Sequence, residues 1–320
     1  MARKFLIDTD TASDDAVALL MALRAPDIDV LAITVVAGNV DVDQGVRNAL
    51  YTSQLAGKPV PVYCGAEKPL LRHYENAHWF HGKDGMGDMN YPPADRPAET
   101  QHGVDALIAT IKANPGIEVI TLGPLTNLAL AVSRAPEIVP LVSRCVVMGG
   151  NACAVGNVTP AAEYNVWVDP EAAQIVFHSG LPIEMVGWEI SRGDALIHTH
   201  ELDVIRAFHT PLADFALDCN RRAIQAAREQ TGETGLDLPD PVAMAVALDP
   251  SIATLKAHYV QVETQSDLTR GMTVVDQLNV THDPRNRVSW EQVRSKAPNV
   301  KVCWAIDVVK WKDMLYRTLR

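Results

Sequence analysis

The chain has 320 residues, 48% of them hydrophobic, and a formal net charge of −11. A chain of this size buries a large core, and its acidity argues against nucleic acid polymers or anionic membranes as main partners. The five cysteines, Cys64, Cys145, Cys153, Cys219 and Cys303, lack CxxC or zinc-type spacing, which predicts a reduced, cytoplasmic protein. Consistent with that expectation, no secretory leader precedes "MARKFLIDTD" and no stretch reads as a membrane span.

In chain order, "KFLID" predicts a buried strand, and "DDAVALLMALRA" a helix with apolar residues at three- and four-residue spacing. "VLAITVVAG" predicts a second strand, "VDVDQGVRNALYTSQLA" a second helix and "PVPVYCG" a third strand. Residues 78–100, "HWFHGKDGMGDMNYPPADRPAET", have no periodicity, and their Trp79, Phe80 and Tyr91 suggest a lid over a site. The alternation then resumes: helix in "GVDALIATIKANP", strand in "IEVITLGP", helix in "LTNLALAVSRAP", strand in "VSRCVVMGG". "DPEAAQIVFHSG" and "LPIEMVGWEI" continue it, and residues 219–240 predict a polar helix and a glycine-bearing loop leading to Asp240. From "HYVQVET" onward the pattern predicts antiparallel strands and a final helix. No repeat or linker divides the chain. The expectation is one α/β domain over 1–320, with a largely parallel, mixed central sheet covered by helices on both faces and ligands at the carboxyl ends of its strands.

"IDTDTASDD" places Asp8, Asp10, Asp14 and Asp15 where the first strand gives way to the first helix. Helix capping accounts for Asp14 or Asp15 but not for the whole cluster. Side-chain alternation predicts that Asp8 and Asp10 point the same way. Several carboxylates converging at a strand end need a divalent cation, and oxygen-only ligands favour Mg²⁺ or Ca²⁺ over zinc. Glu163 and Asn165 in "AEYNV", two apart, would share one face of an extended segment.

"DTDT" superficially matches the nucleophile loop of haloacid-dehalogenase-type phosphatases, which would make Asp8 a nucleophile beside Mg²⁺. The longer "DTDTASDDAVALL" resembles the signature of the inosine-uridine-preferring nucleoside hydrolase family. Further blocks resemble that family in its own order: "VVAGNV" at 35–40, "HGKDGMGD" at 81–88 and "TLGPLTNLALA" at 121–131. "VVMGGNACAVGNVTPAAEYNVWVDPEAAQIVF" at 146–177, "MVGWEIS" at 185–191 and "LPDPVAMAVALDP" at 238–250 follow, so that the likeness is strongest over 5–250. The resemblance implies a Rossmann-like nucleoside hydrolase fold and hydrolysis of the N-glycosidic bond of ribonucleosides to free base and ribose. It implies Ca²⁺, rather than Mg²⁺, held by Asp10, Asp15, Asp240 and the Leu122 carbonyl, with Asp10 also the general base and no nucleotide cofactor. Ribose contacts fall on Asp14, Asn157, Glu163 and Asn165, with Asn39 at the pocket edge, and Asp8 is read as bracing the loop. Family members are commonly homodimers or homotetramers, and that expectation carries over by analogy.

At the leaving group the chain departs from the family. The histidine expected immediately before the last metal aspartate is replaced by Pro239, which has no proton to give. That leaves His81 as a candidate acid, and Trp79, Trp188, Arg222, Gln225 and Arg228, with Arg221 nearby, as candidate base contacts. It also leaves open a relative that binds nucleoside or ribose without turning it over.

Overall fold

The computed structural model describes residues 2–286 and 297–320. Strands β1 (Arg3–Thr9), β2 (Ile28–Val35) and β3 (Val62–Cys64) alternate with helices α1 (Ser13–Arg24) and α2 (Val42–Leu55). The short α3 (His78–His81) and α4 (Gly103–Ala113) lead to β4 (Ile117–Thr121), α5 (Thr126–Arg134) and β5 (Val142–Met148). Next come α6 (Tyr164–Val168), α7 (Pro170–Phe177), β6 (Ile183–Val186), β7 (Ile197–His198), α8 (Thr199–Arg206) and α9 (Pro211–Cys219). Then α10 (Arg221–Thr231), β8 (Gly235–Leu236) and α11 (Pro239–Leu248) precede β9 (Ala253–His258), β10 (Val260–Val262), β11 (Thr273–Val275), β12 (Val300–Ile306) and α12 (Val308–Leu319).

The main sheet runs β3-β2-β1-β4-β5-β6-β12-β9, parallel throughout except for the antiparallel edge pair β12–β9. The expected single α/β domain with a largely parallel sheet is therefore observed. The C-terminal third departs from a purely antiparallel reading: β10 and β11 form a separate hairpin, but β12 returns to the main sheet parallel to β6.

Alternation along β1 sorts the two faces of the sheet. Phe5 and Ile7 join a core built with α1, α2, α9, α11 and α12, while Leu6 joins a second core with α4, α5 and α7. Helix α1 is buried from Ser13 to Leu23, because α2, α9, α11 and α12 surround it on the sheet; its near-continuous apolar sequence suits that enclosure. The chain leaves β1 toward β2 on one side, while β4 pairs with β1 on the other. The strand order reverses there, and such a reversal opens a crevice at the strands' carboxyl ends. The segments after β1, β2, β4, β5 and β6 all end at it.

Residues 78–100 are less irregular than their sequence suggests. The Asp84 carboxylate accepts backbone N–H bonds from Met86, Asp88 and Asn90 (each 2.8 Å). Gly82, Gly85, Gly87, Asp88 and Asn90 supply the left-handed turns that let the chain wrap around it. Tyr91 stacks on Tyr51 with ring centroids 4.8 Å apart, leaving α3 to carry aromatic side chains to the crevice. The segment is a tied loop with a helical tip rather than a structureless lid.

Candidate active site

Asp14 and Asp15 occupy the first turn of α1, and Asp240 the first turn of α11, which packs against α1. The chain thus aims two helix N-termini, each a partial positive charge, at one set of carboxylates. Pro239 at the start of α11 fits because an N–H there would have no intrahelical acceptor. Asp14, Asp15 and Asp240 each bring a carboxylate oxygen within 4.8 Å of the others, and all three are buried. Asp15 Oδ1 accepts from Thr9 Oγ1 (2.5 Å) and its Oδ2 from the Ala12 N–H (2.9 Å), so Asp15 also ties down the start of its own helix.

Asp10 lies just outside this set of three but within its field. Its Oδ2 accepts the Asn39 N–H at 2.5 Å, and its Oδ1 is buried without a hydrogen-bond partner. Gly38 and Gly123 flank the carboxylate so closely that a Cβ on Gly123 would stand 2.7 Å from Oδ1. Burial, reinforced by Asp15, pushes the Asp10 carboxyl well above the usual range, and burial with Asp15 and Asp14 does the same to Asp240. Burial raises Asp14 and Asp15 to about 6. Four buried carboxyls raised together, with unpartnered oxygens on Asp10 and Asp14, make a hard-oxygen donor set that fits a divalent cation.

Asp8 belongs to a different environment. Its Oδ1 accepts from Thr34 Oγ1 (2.5 Å) and Asn127 Nδ2 (2.8 Å), and burial raises its carboxyl to about 7. Neither Asp8 nor Asp10 lines the cleft, both being fully buried, and because β1 ends at Thr9 the strand alternation does not carry Asp10 into the surroundings of Asp8. A nucleophile at Asp8, as the phosphatase alternative requires, would have one oxygen tied to Thr34 and Asn127 and would stand apart from the grouped Asp14, Asp15 and Asp240 oxygens.

One cleft is lined by Asp14, Leu122 and Asp240 on one side and by Asn39, Asn157, Glu163 and Asn165 around them. Glu163 and Asn165 do not share a face of an extended segment. Glu163 caps the five-residue α6, accepting from the Asn165 and Val166 N–H groups and from Gly150, and burial lifts its carboxyl to about 7. Asn165 Nδ2 donates to the Leu122 carbonyl at 2.8 Å, which leaves that oxygen a second lone pair. Asn157 Oδ1 accepts the Tyr164 N–H at 2.9 Å, so the turn role and the cleft position coincide in one residue.

His81 lines the cleft from α3, with Nδ1 2.9 Å from Ser13 Oγ and 3.7 Å from Asp14 Oδ1. Burial lowers it to about 4, so the ring is neutral near pH 7 and poorly suited to give a proton. Trp79 is 64% exposed at the cleft mouth, whereas Trp188 is buried, with Nε1 donating to Asp237 Oδ2 at 2.9 Å. Arg222, Gln225 and Arg228 do not line the cleft. Arg222 pairs with Asp88 at 3.0 Å, Gln225 bonds Glu229, and all three are exposed. The face of α10 that lines the cleft carries Ala223, Ala227, Gln230 and Thr231, at i, i+4, i+7 and i+8. Sequence reasoning missed Gln230, Asn220 and Asp237; the available signal was helix phase for the first and, for the last, a second carboxylate three residues before Asp240 in "GLDLPDP".

Comparisons with known proteins agree with this geometry. The family profile described as inosine-uridine preferring nucleoside hydrolase matches residues 5–313. A pyrimidine-specific ribonucleoside hydrolase, RihA, from Citrobacter koseri is 39% identical over 89% of this chain and 92% of its own. Among solved structures, a plant nucleoside hydrolase, PpNRh1, superposes with a TM-score of 0.90 at 31% identity, covering 100% of this chain and 99% of its own. A purine-preferring ribonucleoside hydrolase from Gardnerella vaginalis gives 0.88 at 32% identity, covering 99% and 98%. With likeness running the length of the sequence and of the fold, the chain belongs to the inosine-uridine preferring nucleoside hydrolase family, enzymes that cleave N-glycosyl bonds.

Proposed function

We propose that this protein hydrolyses the N-glycosidic bond of ribonucleosides with the help of Ca²⁺, releasing free base and ribose. The observation that carries the reading is the grouping of the Asp14, Asp15 and Asp240 carboxylates, with buried Asp10 beside them, at a cleft whose polar lining includes Asn39, Asn157, Glu163 and Asn165. Asp10, Asp15, Asp240 and the Leu122 carbonyl would hold the cation. When bound, it supplies Lewis acidity toward water and offsets the repulsion among the carboxylates.

The reaction passes through an oxocarbenium-like state in which positive charge develops on the ribose ring. Asp14, at the cleft surface, stabilises that charge, and burial strengthens the interaction because little solvent screens it. Asp10 Oδ1, with no hydrogen-bond partner among the described residues, accepts a proton from the attacking water. Asn39, Asn157, Glu163 and Asn165 orient the sugar hydroxyls. The side chains of Asn157, Glu163 and Asn165 are fixed by α6 and its cap, so little ordering cost falls on the reaction.

A panel of purine and pyrimidine ribonucleosides, followed by reducing-sugar and free-base assays, tests the reading. Equimolar ribose and base are expected. Release of inorganic phosphate from sugar phosphates without sugar release from any nucleoside would overturn it.

A further inference from the structure

Pro239 leaves the departing base without a proton donor at the position where the family resemblance puts one. Asp237, two residues earlier in the extended stretch between β8 and α11, lines the same cleft. Three residues span at most about 10 Å, so Asp237 and Asp240 serve neighbouring parts of one ligand. Its Oδ2 is held by the Trp188 indole N–H at 2.9 Å, and Trp188 is itself fixed by the Arg192 guanidinium 4.5 Å from its ring centroid. Its Oδ1 is shielded from solvent and has no hydrogen-bond partner among the described residues. Holding Trp188 explains one carboxyl oxygen; the Ser191 hydroxyl also lies beside the carboxyl, but it donates to the Trp188 carbonyl at 2.8 Å, which leaves Oδ1 without a donor. The Asp14 side of the cleft takes the sugar in the proposed reaction, which leaves the Trp188, Asp237 and α10 side for the base.

We propose that Asp237, through Oδ1, is the catalytic residue that protonates the departing base. The inference rests on the nucleosidase reading above. As the C1′–N bond breaks, its electron pair passes to the base, the Asp237 proton goes to the base, and Asp237 is left as a carboxylate. The water oxygen bonds to C1′ and its proton goes to Asp10. Asp10 then releases a proton to solvent and Asp237 takes one up, so one water is consumed per turnover. Burial raises the Asp237 carboxyl to about 6; Asp14 adds to the rise, while the nearby Ser191 hydroxyl, the Trp188 hydrogen bond and the Arg192 charge oppose it. Glu233, paired with Arg192 at 3.1 Å, partly offsets that opposing charge.

The test compares uridine and inosine with 4-nitrophenyl β-D-ribofuranoside, whose phenolate leaves without protonation. For Asp237→Asn we expect kcat on both nucleosides to fall about 100-fold or more, with kcat on the nitrophenyl riboside within a few-fold of wild type. In wild type, nucleoside kcat should fall as pH rises through the carboxyl's range relative to nitrophenyl riboside kcat, a readout independent of how the variant folds. Unchanged nucleoside turnover in Asp237→Asn, or a wild-type ratio of the two substrates that does not vary with pH, overturns the proposal. A wild-type protein that cleaves neither nucleosides nor the nitrophenyl riboside overturns the nucleosidase reading instead.

Discussion

Asp10→Asn protein is expected to fold and to lose about 1,000-fold or more in kcat on any nucleoside the wild type hydrolyses. The substitution preserves shape, and an amide oxygen can keep the Asn39 N–H bond that Oδ2 now accepts. What disappears is the basic Oδ1 and one negative charge beside the developing oxocarbenium. Removing a general base costs roughly 10²–10⁴-fold, and losing electrostatic stabilisation adds to it. The same change relieves repulsion among buried carboxyls that the α1 and α11 N-termini only partly offset. The metal-free variant should therefore melt at or above the wild-type temperature. Thermal melts of the chelator-treated proteins beside steady-state ribose assays check both halves. A variant with wild-type turnover removes Asp10 from the chemistry.

Gly38→Ala is expected to be nearly as damaging to turnover by a purely steric route. Gly38 does not have a left-handed backbone, so alanine's own conformational preferences raise no objection. Its Cβ, however, would collide with Asp10 Oδ2 and stand 2.7 Å from Cγ. Rotating the carboxylate does not relieve the clash, because the same Cβ would stand 2.8 Å from the Asp10 Cβ. Overpacking of this kind costs about 1–3 kcal/mol of stability. A reacting group displaced by about 1 Å loses roughly 100-fold in rate. The expected result is a folded protein with a modestly lowered melting temperature and kcat down by about that factor. Wild-type kcat in Gly38→Ala would show that Asp10 does not need the position it holds.

Gly38 and Gly123 also show what the sequence made legible. "VVAGNV" and "TLGPLTN" stand out as blocks, and the strand–helix alternation locates both at the carboxyl ends of strands. The close approach of both backbones to a single carboxylate is a property of three segments folded together. Only the family resemblance joins Asp240 to Asp15, in a set with Asp10 and the Leu122 carbonyl and with Asp14 facing the sugar, whereas the oxygens within 4.8 Å of one another are those of Asp14, Asp15 and Asp240. The resemblance brings Glu163 and Asn165 to the cleft, and the shared strand face expected of them is not how they get there. Two residues apart means the same face only in a strand, and Glu163's own carboxylate stabilises the short helix that breaks that rule. On α10 the charged side chains of Arg222, Gln225 and Arg228 drew attention by their chemistry. The buried stripe of Ala223, Ala226 and Ala227 sets the phase of the helix and turns those polar groups outward. Tyr91 was assigned to a lid by composition, and its stacking on Tyr51 depends on a contact 40 residues away in sequence that no local pattern announces.

Ribose release from a good nucleoside by chelator-stripped wild-type protein, before and after Ca²⁺ is restored, tests the central claim most directly. The carboxylate arrangement predicts negligible release from the stripped protein and recovery on adding Ca²⁺, with Mg²⁺ a weaker substitute because it demands a more rigid octahedral set. Full ribose release by the stripped protein would contradict the role assigned to these four buried aspartates.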